Sequence, residues 1–158
     1  MDLALVWNAD DMAFDLGEIT DGDFAKAPDL ETAVLLSMHI HRRADDADIL
    51  RDPKDRRGWW ADGLDGDPNE HWGARIWQML QRSATADAVK EAEAMIAEGL
   101  QWLIDDGVAG KITVTAEILP REGAAVDLGI AVDIRNSDDT GILSKKYTLA
   151  WEELQNAA

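Results

Sequence analysis

Lys111-Ile112-Thr113-Val114-Thr115-Ala116-Glu117-Ile118 alternates apolar and polar residues without a break. Val126-Asp127-Leu128-Gly129-Ile130-Ala131-Val132-Asp133-Ile134-Arg135 repeats the alternation. Leu143, Tyr147, Leu149 and Trp151 recur on one parity, with Lys145 among them. A period of two marks strands with one apolar and one wetter face. The connections, Pro120-Arg121-Glu122-Gly123 and Asn136-Ser137-Asp138-Asp139-Thr140-Gly141, are rich in turn formers. Three strands joined this closely form an antiparallel meander.

Upstream the period changes. Val89, Ala92, Ile96, Leu100 and Leu103 recur at helical spacing over about 86–105, with Thr85 placed to cap the start and Gly107 the end. Trp72, Ile76 and Leu80 mark a short helix at about 71–82. A third helix is expected over 29–42, with Asp29 as its N-cap and Leu30, Val34, Met38 and His41 on one stripe. Residues 3–7 and 12–19 alternate as a hairpin around Asn8-Ala9-Asp10-Asp11. The fold class is therefore α+β: an N-terminal β-hairpin, three α-helices and a C-terminal three-stranded antiparallel meander. No linker divides residues 1–158, so one domain is expected.

Composition narrows the function. The 158 residues carry 32 acids against 15 bases, a net charge of −17. Such a chain is a poor partner for a phosphate backbone or an anionic membrane. Without cysteine it has no disulfide, thiol nucleophile or thiolate metal site. No apolar run reaches the length of a membrane span, and the acidic start does not read as a signal peptide. A cytosolic globular protein is expected.

Catalytic signatures are equally scarce. Asp65-x-Asp67-x-Asn69 opens like a calcium loop, but Glu70 and Ile76 stand where that loop needs glycine and glutamate. His39, His41 and His71 lack metal-ligand spacing, and no serine elbow or phosphate loop is present. No metal and no cofactor are expected. Paired carboxylates would suit a glycosidase, but 32 acids make some pair inevitable.

Tryptophan is the informative residue. Trp7, Trp72, Trp77, Trp102 and Trp151 fall on or beside apolar faces and read as core. Trp59 and Trp60 do not. They are adjacent, in a loop, and follow Arg56-Arg57-Gly58. Trp and Arg carry the hot spots of protein interfaces. One Trp can plug the domain while the other meets a partner.

Asp29-Leu30-Glu31-Thr32-Ala33-Val34-Leu35-Leu36-Ser37, Arg42-Arg43-Ala44-Asp45 and Asp55-Arg56-Arg57-Gly58-Trp59-Trp60-x-Asp62 together resemble the Mu-like phage protein family known by gene-product number forty-six. Gly73-x-Arg75-Ile76-Trp77 and Gln101-Trp102-Leu103-Ile104-Asp105-Asp106-Gly107-Val108-Ala109 extend the likeness, which runs over residues 1–118. The resemblance implies a wedge subunit of a contractile tail baseplate, similar to the small wedge protein of T-even phages and its type VI secretion counterpart. It implies a larger wedge protein and neighbouring tail and hub proteins as partners, and no nucleic acid or membrane. The location would be the virion baseplate, with the host cytoplasm during assembly and a free subunit that is monomeric or weakly oligomeric. The wider group places a Glu-Pro-Arg motif before its sheet. Here Trp102–Val108 stands at that position with none of the three, so only the location carries over.

Arg56, Arg57, Trp59, Trp60 and Asp62 are the expected contact or loop-fixing residues, with Asp105 and Asp106 as further candidates. The competing readings are a lysozyme-like enzyme that cleaves peptidoglycan with paired carboxylates, and an acidic mimic of nucleic acid.

Overall fold

The computed structural model describes residues 2–8, 13–17, 19–20, 23–24, 26–27, 30–62, 64, 71–79, 82–122 and 125–151. The meander forms as its alternation requires. β7 (Lys111–Pro120), β8 (Val126–Arg135) and β9 (Gly141–Trp151) are antiparallel neighbours in that order. Val114 faces Val132, and Val132 faces Lys145, so register keeps like faces together. The inner face of β8 (Leu128, Ile130, Val132, Ile134) is buried with Leu143, Leu149 and Trp151 of β9.

The N-terminal strands are short. β2 (Leu5–Asn8) pairs with β3 (Ala13–Leu16) as the expected hairpin, with Trp7 opposite Phe14. Two smaller pairs accompany it among the described residues: β1 (Asp2–Leu3) pairs with β6 (Lys26–Ala27), and β4 (Ile19–Thr20) with β5 (Asp23–Phe24). The side chain of Trp7 and the expected cap Asp29 lie outside the described residues.

The expected three helices reduce to two. α1 (Glu31–His39) follows Leu30 in the left-handed region, φ 74°. α2 (Ala86–Gly99) is capped by Thr85, whose hydroxyl accepts from the Ala88 N–H at 3.2 Å. It packs its Ala88, Ala92 and Ile96 stripe into the same core as the sheet. Glu93 reaches the edge strand, where its carboxylate accepts the Ala116 N–H at 2.7 Å. The expected helix over 86–105 breaks after Gly99, and its last turn continues separately as Trp102–Asp105. Gly107, at φ +72°, closes that turn as expected.

Of the expected helix at 71–82, the described residues form only a 3-10 turn, Ile76–Gln78; Leu80 of its expected stripe lies outside them. The reason is the backbone on either side of Gly73. Ala74 donates to Ile40 O at 3.0 Å and accepts from Arg42 N at 3.2 Å, which makes a parallel bridge between 41 and 74. This bridge ends α1 at His39, so His41 leaves the helical stripe assigned to it. Gly73 has φ +94°, and a Cβ there would lie 2.0 Å from Ile40 O. Gly99 crosses the same segment, where a Cβ would meet Ala74 Cβ at 2.9 Å. Two glycines thus let three backbones meet.

Gly73→Ala is expected to lower the unfolding free energy by more than about 3 kcal/mol. Gly107→Ala is expected to cost about 1 kcal/mol, since φ is positive but no atom stands in the way. Urea unfolding of both variants checks this. Equal losses would show that close approach is not what demands glycine at 73.

Candidate functional site

The long segment between α1 and the 3-10 turn is built around arginines. Arg75 is the central one. Its Nε and Nη2 donate to Glu98 Oε2 at 3.2 and 2.9 Å. Its Nη1 donates to both Asp48 oxygens, at 2.9 and 3.1 Å, and to Asp45 at 3.0 Å. The side chain is mostly buried and ties the loop to the end of α2. Burial alone would raise the Asp48 pKa. Hydrogen bonds from the Gln78 amide, the Asp45 N–H and Arg75 outweigh it and hold the carboxyl below its usual range.

Arg56 and Arg57 are both turned onto their own chain. Arg56 donates to Asp45 O at 2.9 Å and pairs with Asp46 at 3.4 Å. Arg57 adopts φ 45° and bonds Asp55 at 3.3 Å. Its guanidinium lies 4.6 Å from the centre of the buried Trp77 ring. It also donates to His41 Nδ1 at 3.0 Å. Arginine offers no acceptor, so His41 accepts there and is neutral. Burial, followed by repulsion from Arg57, lowers the His41 pKa; Asp55 opposes it.

Asp62 is a loop staple. Its carboxylate accepts the Trp59 N–H at 3.3 Å and the Trp72 N–H at 3.2 Å. The two tryptophans beside it separate as the adjacency suggests: Trp59 is half-buried, while Trp60 is 82% exposed. Ring centres run from Trp60 to Trp59 at 5.7 Å, Trp59 to Trp72 at 6.0 Å and Trp72 to Trp102 at 6.4 Å. Trp72 is 42% exposed, which corrects its assignment to the core. Trp77 and Trp151 are buried, and their indoles donate to Arg42 O at 3.0 Å and Arg82 O at 2.6 Å. Trp102 donates to Ser37 Oγ at 3.1 Å.

The indole row ends in a cleft of about 480 Å³, where Trp72 and Trp102 share the lining with Glu98, Asp105 and Asp106. Through it the two expected site segments, the Arg/Trp loop and Asp105-Asp106, become one surface. Asp105 is exposed and accepts from the Gln101 amide at 3.0 Å. Local sequence does not mark Arg75, Trp72 and Trp102 as site residues. The quoted Gly73-x-Arg75 and Gln101-Trp102 segments contain the first and the last, but the partners of all three lie far away in sequence.

The arrangement offers little for acid–base chemistry. Glu98 is committed to Arg42 at 3.2 Å and to Arg75. The carboxylates whose proton affinity shifts among the described residues, Asp48, Asp133 and Asp138, all shift downward, whereas a general acid needs an upward shift. Among the described residues, no group of three or more His, Asp or Glu is placed to hold a metal, and no helix is long and apolar enough to cross a membrane. The calcium-like stretch, Asp65 to Asn69, lies outside the described residues.

Arg75→Ala is expected to cost about 3 kcal/mol, because it leaves Asp48 without its cation and Glu98 with Arg42 alone. Arg75→Lys is expected to cost about 1–2 kcal/mol, since an ammonium cannot reproduce the fork. Chemical denaturation measures both. A second expectation concerns pH. Burial lowers His39 from its ordinary 6.5 to about 4, with the Leu35 carbonyl opposing and His41 assisting. The unfolded chain therefore takes up a proton below about pH 6.5 that the folded chain refuses, so stability falls as pH drops from there toward about 4. Between pH 7 and 5 the parent should lose about 1–2 kcal/mol more than a His39→Gln variant. Parallel slopes would contradict it.

The profile of the family described as phage protein GP46 matches residues 30–141. The match therefore starts at α1 and runs through β8, further into the sheet than the likeness at the residue level. The chain is 37% identical over 122 residues to "Baseplate protein gp46" of Escherichia phage Mu, covering 75% of this chain and 78% of that protein. It is 28% identical over 117 residues to "Mu-like prophage FluMu protein gp46" of Haemophilus influenzae, covering 73% and 75%. On the profile match and the identity with the Mu protein, the chain belongs to the phage protein GP46 family.

Proposed function

We propose that this chain is a structural subunit of a contractile phage tail baseplate, a wedge component that acts by assembly and not by catalysis. The observation that carries the reading is likeness over most of both chains to a Mu protein named for the baseplate. The geometry agrees with it. Arg57 and Asp62 are occupied within the loop, which leaves Trp60 exposed on a pinned support. A rigid aromatic anchor on a fixed loop is what a hot spot requires.

In this reading residues 1–158 act as one domain. Trp60 is the contact, Trp59 its half-buried base, and Arg56, Arg57 and Asp62 the fixing residues. Asp105 and Asp106 contribute at the far end of the same surface. The partners are a larger wedge protein and neighbouring tail and hub proteins, in the virion baseplate. The net charge of −17 keeps free copies apart by mutual repulsion, so the isolated subunit stays monomeric or weakly associated.

Trp60→Ala is expected to change stability by less than about 0.5 kcal/mol, because the side chain touches little of its own fold. It should nevertheless sharply reduce copurification with co-expressed baseplate proteins of the same phage or prophage. Undiminished capture, with folding intact, would remove the loop tip from the interface. Failure of the parent chain to capture any of them would count against the assembly reading as a whole.

A further inference from the structure

We infer that the cleft between Trp72 and Trp102 is a socket for an arginine side chain of the protein on which this chain docks. The inference rests on the assembly reading and names the chemistry of the contact. Three independent features point to it.

The first is the aromatic lining. Trp72 and Trp102 stand 6.4 Å apart at an angle of 41°, too close and too tilted to hold a ring between them. What they offer is indole surface along the cleft. The Trp102 indole N–H is already engaged by Ser37, and the Trp72 backbone is pinned by Asp62 while its ring lies between those of Trp59 and Trp102. Indole is the best aromatic surface for a cation. The same fold uses it internally, where the Arg57 guanidinium lies 4.6 Å from the Trp77 ring centre.

The second is charge. Glu98 and Arg42 line the cleft but neutralise each other, with Arg75 completing the set. Asp105 and Asp106 do not cancel. Among the described residues, Asp105 takes only an amide from Gln101, and Asp106 pairs with no cation. Both sit at the C-terminal end of the Trp102–Asp105 turn, where backbone carbonyls add negative potential. The uncompensated charge of the cleft is negative.

The third is size. A space of about 480 Å³ admits a long side chain and the backbone that carries it. The occupant is cationic, long and able to lie flat on indole. Guanidinium fits better than ammonium, because it is planar and weakly hydrated and can fork onto a carboxylate. A second copy of this chain is a poor source: it holds 15 bases to 32 acids, and the described arginines beside the site are already paired.

The test is an NMR titration of the full-length chain, following the indole N–H signals, in about 0.15 M salt. The probes are capped hexa-arginine, hexa-lysine and hexa-glutamate peptides, together with N-acetyl-arginine amide. Trp72→Phe and Trp102→Phe assign the two signals. Hexa-arginine should move Trp72 and Trp102 ahead of the other indoles, hexa-lysine should bind less tightly, and hexa-glutamate should not bind. The Asp105→Asn/Asp106→Asn variant should weaken binding at least roughly tenfold. A charge-matched control, Asp138→Asn/Asp139→Asn in the β8–β9 turn, should not. Equal weakening by both pairs, shifts spread over all indoles, or no binding overturns the socket. Saturation by N-acetyl-arginine amide as tight as by the peptide would assign the site to a free small cation and also overturn docking. If Asp105→Asn/Asp106→Asn copurifies with baseplate proteins at the parental level, the socket fails and the assembly reading stands. If the parent captures nothing, the assembly reading fails on its own evidence.

Discussion

The backbone at Gly73 and Ala74 is wedged between the end of α1 and the end of α2. Both hydrogen bonds of the 41–74 bridge depend on an approach that a β-carbon at 73 would forbid. From this point the neighbouring side chains take their directions. Trp72 is turned outward toward the indole row, Arg75 across to Glu98, and Trp77 inward under Arg57. The indole row is therefore a by-product of one tight crossing. Trp102, at the inner end of the row, packs against the core to which the meander contributes.

The scarcity of bases explains how the loop keeps its shape. Arg42, Arg56, Arg57 and Arg75 each meet a carboxylate or a ring of the same chain. A chain with twice as many acids as bases has few cations to distribute, and here several hold an irregular segment in place. Loops of this length have little hydrogen-bonded ladder of their own. Ion pairs to α2 and the turn at 76–78 take the place of that ladder.

Legibility in the sequence followed the range of the interactions. Alternation in 111–118 and 126–135 is a local signal, and it placed the meander correctly. Thr85 and Gly107 are local stop signs, and both hold. The expected helix at 71–82 fails for a physical reason: Trp72 and Ile76 have helical spacing, but Gly73 has φ +94° and the next residue, Ala74, is hydrogen-bonded to Ile40 at the end of α1. Trp72 then turns outward, so its place on the apolar stripe is coincidental. The adjacency of Trp59 and Trp60 was informative because two neighbours seldom bury together. Arg75 gave no local sign of its importance, since Asp45, Asp48 and Glu98 come together only on folding. Asp105 and Asp106 could be suspected, but their connection to the Arg/Trp loop needed the cleft to be seen.

The bridge from His41 to Ala74 also has a consequence in time. β7, β8 and β9 follow one another with short turns, so their pairing closes small loops. The bridge must close across the whole intervening segment, at a larger entropic cost. That cost is met before any contact along the indole row rewards it, so closing the crossing is a slower demand on the chain than pairing the meander. The shape of the indole row is thus set by a long-range closure and not by any local turn.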